Sequence, residues 1–68
     1  MSSSTTWTVT GMTCEHCVAS VTEEVGEIAG VTGVQVDLSS GSVVVTSDQP
    51  VSREDVSAAV DEAGYQLV

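Results

Sequence analysis

Three observations predict an α+β sandwich for this 68-residue chain, a four-stranded antiparallel sheet with two helices on one face. Apolar residues recur at period two in residues 7–10 and 34–38, run together in the β-branched stretch 42–46, and recur at steps of three or four through 18–28 and 56–63. Glycine or proline stands at nearly every change of period. Each helical stretch carries one apolar stripe, so both must bury it against the same sheet face.

The elements follow in order. Trp7-Thr8-Val9-Thr10 alternates β-formers and stops at Gly11, giving the first strand. From Glu15 the apolar residues Val18, Val21, Val25 and Ile28 line one helix face, and Gly30 ends that helix. Val34, Val36 and Leu38 alternate with Gln35 and Asp37 as a half-buried second strand. Ser39-Ser40-Gly41 is turn chemistry, and residues 42–46 return as a third strand, making a hairpin. Asp48-Gln49-Pro50 breaks the pattern. Ser52 then reads as an N-cap with Glu54 and Asp55 in the first turn, and Val56, Ala59, Val60 and Ala63 supply the second helix's apolar face before Gly64. Residues 65–68 suffice for a short last strand. The order strand, helix, strand, strand, helix, strand is the ferredoxin-like βαββαβ arrangement. Residues 1–6 read as a flexible leader and 7–68 as one domain.

Composition narrows the function classes. A chain this short buries only about 60% of the surface its unfolded form exposes, so its stability is marginal. Hydrophobic residues make up 41%, mostly Val and Ala, with no Phe. The longest apolar runs, such as Val43-Val44-Val45, fall far short of the roughly 20 residues of a membrane span, and the polar start lacks the basic and apolar regions of a signal peptide. The expected location is the cytoplasm, where thiols stay reduced. Ten acidic residues face a single Arg53 and no Lys, for a formal net charge of −9 and a pI of about 4.1. That balance excludes nucleic acid and disfavours anionic membrane surfaces as partners. The acidity serves either solubility or docking to a basic partner face. Glu23, Glu24 and Glu27 sit toward the C-terminal half of the first helix, where its dipole disfavours them, so they are not there for helix stability.

Both cysteines lie in Gly11-Met12-Thr13-Cys14-Glu15-His16-Cys17, at the junction of the first strand and first helix. Two thiols spaced C-x-x-C at a helix start can meet on one small object, a soft metal ion or a second sulfur. A structural zinc site calls for four ligands, and this chain has one His and no second cysteine pair. Cu(I) is soft, prefers thiolates and is satisfied by two or three of them. A thioredoxin-like exchange role calls for a different scaffold, C-x-x-C opening a helix after a central parallel strand. Two incidental thiols are the bland alternative. The helix N-terminus favours thiolate at Cys17, and the adjacent Glu15 opposes it.

The segment resembles the metal-binding loop of heavy-metal-associated domains, the family of small copper chaperones and of the N-terminal domains of copper-transporting P-type ATPases. Gly11, Met12, Cys14 and Cys17 fill that family's G-M-x-C-x-x-C signature, and Gly30-Val31, Val34-Gln35-Val36 and Ala63-Gly64-Tyr65 extend the likeness over residues 7–68. The resemblance implies a ferredoxin-like fold and Cu(I) held by Cys14 and Cys17, with Zn(II) as an in vitro substitute. It implies that Met12 packs inward and anchors the loop rather than ligating. Thr13 stands where zinc- and cadmium-exporting relatives often carry Asp, which places the chain with the copper branch. Tyr65 matches the position that lies beside the metal loop in bacterial copper chaperones; a core aromatic is its alternative reading. His16, between the thiols, is a third ligand, a proton-sensitive neighbour or a solvated residue.

The function so implied is a cytoplasmic copper chaperone passing Cu(I) by thiolate exchange to a copper-exporting P-type ATPase or a copper-responsive regulator. It would be monomeric without metal, with a metal-bridged dimer as the loaded alternative, and would not be an enzyme. The alternatives are a metal-binding domain inside such an ATPase, a passive metal buffer, and a thiol-disulfide oxidoreductase. Eukaryotic chaperones of the family dock through a lysine-rich face that this chain lacks, so the more basic member of any electrostatic pair must be the partner.

Overall fold

The computed structural model describes residues 3–68, and the elements run β1 (Ser3–Thr10), α1 (Glu15–Gly26), β2 (Val31–Asp37), β3 (Ser42–Ser47), α2 (Arg53–Glu62) and β4 (Gln66–Leu67). The strands form one sheet in the order β2-β3-β1-β4, and every neighbouring pair is antiparallel. Both helices lie on one face, as their single apolar stripes require. Between helices and sheet sit Val9, Val21, Val25, Val43, Val45, Val56, Ala59 and Val60, a core built from valine and alanine alone. Trp7, Met12, Ile28, Val51 and Tyr65 are partly buried around its margin.

Several boundaries differ from those expected. Strand β1 begins at Ser3 rather than Trp7, so Ser3–Thr6 of the expected leader belong to the sheet, in register with Ser47 to Val44 of β3. Thr and Ser fit a pleated surface but carry no apolar alternation, so periodicity could not reveal them. Helix α1 ends at Gly26, and Ile28 lies beyond it. The amides of Glu27 and Ile28 donate to the carbonyls of Glu24 and Val25 at 3.3 and 3.1 Å, a tightened last turn after a poor helix former. Strand β2 starts at Val31 and absorbs an irregularity between Val31 and Gly33, which restores the face of Val34 and Val36. Leu38 falls in the hairpin turn and is exposed, not in the strand.

Turn and cap chemistry fixes the rest. Asp37 Oδ1 accepts from the Ser39 amide at 3.0 Å and the Ser39 hydroxyl at 2.7 Å, and the Gly41 amide donates to the Asp37 carbonyl at 2.8 Å. Gly41 has φ +73°, and a Cβ there would lie 2.7 Å from the Val9 carbonyl oxygen, so glycine is required on both counts. Ser52 caps α2 by accepting from the Asp55 amide at 3.1 Å. The chain then turns through Gly64 and delivers Tyr65 to the end of the molecule where β1 runs into α1.

Candidate metal centre

The loop is shaped by its two ends. Gly11 leaves β1 with φ +95°, and a Cβ on it would stand 3.1 Å from Tyr65 Cδ1. Only glycine both adopts that backbone and lets the Tyr65 ring lie against the loop. Tyr65 is held from the other side, its amide donating to the Val60 carbonyl at 3.0 Å. Met12 is partly buried and packs against the valine core. Cys14 is the N-cap of α1, extended at φ −155°, and its carbonyl accepts from the amides of Cys17 at 3.1 Å and Val18 at 3.3 Å. Cys17 therefore sits in the first turn of the helix, and the core fixes the helix through Val21 and Val25.

The two sulfurs are 3.4 Å apart, Cys14 exposed and Cys17 half-buried. The Cys17 thiol is pulled down to about 6, chiefly by the Thr13 backbone amide, then by the Tyr65 hydroxyl and the Cys14 side chain, against the opposing effect of burial. The Tyr65 phenol is pushed up in return, first because it hydrogen-bonds to Cys17 and then by partial burial, so it stays protonated as a donor. The Thr13 hydroxyl lies 3.9 Å from Cys17 Sγ. The sequence points to the N-terminal end of α1 as what favours thiolate at Cys17. The activation comes instead from neutral donors. Tyr65 was legible as a loop neighbour, but a backbone amide aimed at sulfur leaves no mark in a sequence.

His16 is exposed, and among the described residues no three His, Cys, Asp or Glu side chains come together as a metal site. The structure thus brings Cys14, Cys17, Thr13 and Tyr65 together and leaves His16 at the rim. Two close thiols, one already disposed to ionise, on a surface loop anchored to a rigid core can share one soft cation or one disulfide bond.

Known proteins with this arrangement are plentiful. The model of the heavy-metal-associated domain matches residues 6–66. The copper chaperone CopZ of Bacillus subtilis is 43% identical over 60 residues, covering 87% of each chain. Among solved structures, a CopZ metallochaperone superposes with a TM-score of 0.89 at 34% identity, over 97% of this chain and all of the other. A copper binding domain from HMA7, a P-type ATPase, superposes at 0.87 and 30% identity, over all of this chain and 92% of its own. In sequence, in fold and in the loop that carries its two thiols, this chain belongs to the heavy-metal-associated domain family.

Proposed function

We propose that the chain is a copper chaperone, holding one Cu(I) between Cys14 and Cys17 and handing it on by thiolate exchange in the cytoplasm. The observation that carries this reading is the pair of sulfurs 3.4 Å apart on an exposed loop, with no His, Asp or Glu among the described residues gathered beside them to complete a three-ligand cluster. Such a site suits a soft ion content with two thiolates, whereas zinc calls for four ligands and would have to complete its shell from water or a competitor. Thr13 offers no charged oxygen to harden the site. Relatives and structural neighbours named for copper support the same choice of metal.

Cys14 and Cys17, close together on one exposed loop, could both reach a single soft ion. A two-thiolate site at the surface leaves its outer side open. A partner thiolate adds there as a third ligand, and one of the original sulfurs then leaves; copper keeps its charge and oxidation state throughout. Loading requires both sulfurs as thiolates, and Cys17 is mostly in that form at neutral pH. The partner is the metal-binding domain of a copper-transporting P-type ATPase or a copper-responsive regulator. Likeness to a copper binding domain from a P-type ATPase also supports a second reading, a metal-binding domain working within a transporter.

The test is anaerobic Cu(I) titration in reductant, with a competing chelator and native mass spectrometry. The expected result is one copper per chain or a copper-bridged dimer, with tight binding lost in Cys14→Ser and in Cys17→Ser while both keep the fold. More than one tightly held copper per monomer, or a Cys14→Ser variant that binds as the parent does, refutes the site. Transfer to a separate ATPase domain faster than copper dissociates into solution distinguishes a carrier from a passive buffer.

A further inference from the structure

A second surface stands apart from the thiols. A cleft of about 420 Å³ opens where the end of α1 meets α2 and the segment joining β3 to α2. Its floor is apolar, formed by Ile28, Val51 and Ala59, and its rim carries Glu24, Glu27, Asp55 and Glu62. It is at the small end of the roughly 300–1,000 Å³ range of ligand-sized clefts, room for one or two side chains rather than a whole helix. At 1.5 Å per helical residue, Glu24 lies about 10 Å along α1 from Cys17.

The rim is an unrelieved negative field. The Glu24 carboxyl is held above its usual range, first by partial desolvation and then by the charges of Glu27, Glu62 and Glu23. Glu24 and Glu27 also stand at the negative pole of α1, whose last turn contains no basic residue. The chain's single cation, Arg53, lies on the other flank of α2 with Glu54, Ser57 and Asp61, its guanidinium donating to the Val68 carbonyl at 3.4 Å. Among the described residues no cationic side chain lines the cleft, and the mutual repulsion of its carboxylates costs stability. An apolar floor within an anionic rim is complementary to one kind of occupant, a cationic side chain with an apolar neighbour.

We infer that this cleft is a docking site for a basic, amphipathic segment of a partner protein, one that places arginine or lysine against Glu24, Glu27 and Glu62 and an apolar side chain on Ile28 and Ala59. It gives the molecule a grip separate from the thiol loop. The inference does not rest on the copper reading, because the cleft shares no residue with the loop.

The experiment titrates ¹⁵N-labelled, reduced, metal-free protein with a short capped arginine–leucine peptide, followed by amide chemical shifts. Parallel titrations use the same peptide with citrulline for arginine, and spermidine. Expected are shifts confined to residues 24–29, 49–51 and 55–62, with the loop amides of 11–17 unmoved, and no response to the citrulline peptide. The variant Glu24→Gln/Glu27→Gln/Glu62→Gln loses one exposed ion pair at each position, about a factor of two each, so peptide affinity falls about tenfold. The control Glu54→Gln/Asp61→Gln, on the opposite flank of α2, leaves affinity unchanged. Because the rim carboxylates repel one another, the cleft variant melts no lower than the parent, which removes misfolding as an explanation. The inference is overturned by shifts spread over carboxylates remote from the cleft, such as Asp37 and Asp48. It is equally overturned if the control variant weakens binding as much as the cleft variant, or if spermidine moves the same amides with the peptide's affinity.

Discussion

Cys17 should ionise about three pH units below a thiol at its reference value of 9.0, and the consequence can be read without any metal. At pH 7 a thiol that titrates at about 6 is ten parts thiolate to one part thiol, whereas one that titrates at 9.0 is about one part in a hundred. The reactive fraction is therefore greater by roughly ninetyfold. Intrinsic nucleophilicity falls with basicity at a Brønsted slope of about 0.4–0.5, which over three units takes back roughly fifteen- to thirtyfold. The net rate advantage of Cys17 at pH 7 is then only about three- to sixfold, so a single-pH rate is a poor test. The midpoint is the sharp one. Iodoacetamide under single-hit conditions, with the site of modification read by peptide mass spectrometry, should give a Cys17 rate that rises to a plateau above pH 6–7. An unperturbed thiol would keep climbing towards its ordinary range near 8.5. Tyr65→Phe removes the second-largest donor and moves the midpoint up, but not to 9.0, because the Thr13 amide remains. A parent midpoint in the ordinary thiol range, or a Tyr65→Phe midpoint identical to the parent's, would sink the hydrogen-bond account.

Three further outcomes follow from the loop and core geometry. Gly11→Ala forces a side chain into φ +95° with its Cβ 3.1 Å from the Tyr65 ring; it should cost about 1–3 kcal/mol by thermal melting and raise the Cys17 midpoint as the ring is displaced. Val60→Ala empties two methyl groups from a fully buried site and should cost about 2 kcal/mol, read as a fall in the urea midpoint at unchanged slope. In a domain this small, each kcal/mol lowers the melting temperature by about 4–8 °C, so the change is large. Met12→Leu conserves volume at a partly buried anchor and should retain copper stoichiometry and affinity; a loss comparable to that of Cys14→Ser would show that the thioether ligates.

The order of elements could be read from the sequence because each helix carries a single valine stripe and each turn a residue with a distinct backbone preference. Ser52 capping α2 and Gly41 closing the hairpin are local chemistry, written in one or two residues. What escaped is what depends on distant neighbours. Ser3–Thr6 join the sheet only because β3 is long enough to pair with them, and Leu38 leaves its strand because the Asp37–Ser39 hydrogen bonds begin the turn one residue early. At the loop, Cys14, Cys17 and the partly buried Met12 were legible from motif and resemblance. The thiolate character of Cys17 was assigned to the helix end, whereas its larger sources are the amide of Thr13 and the hydroxyl of a residue 48 positions away in sequence.

The closeness of the two sulfurs also ties the protein to its redox surroundings. A disulfide needs its sulfurs about 2.05 Å apart, and Cys14 and Cys17 start at 3.4 Å on a loop whose exposed member is free to turn. Exchange with an oxidised thiol pair, which takes up the two electrons and is released as thiols, would join them with little backbone movement, and the joined pair would have no thiolate left to offer. Every chain therefore records whether its compartment is reducing, and the amount of metal a population can carry at once becomes a measure of the local thiol potential as well as of metal supply.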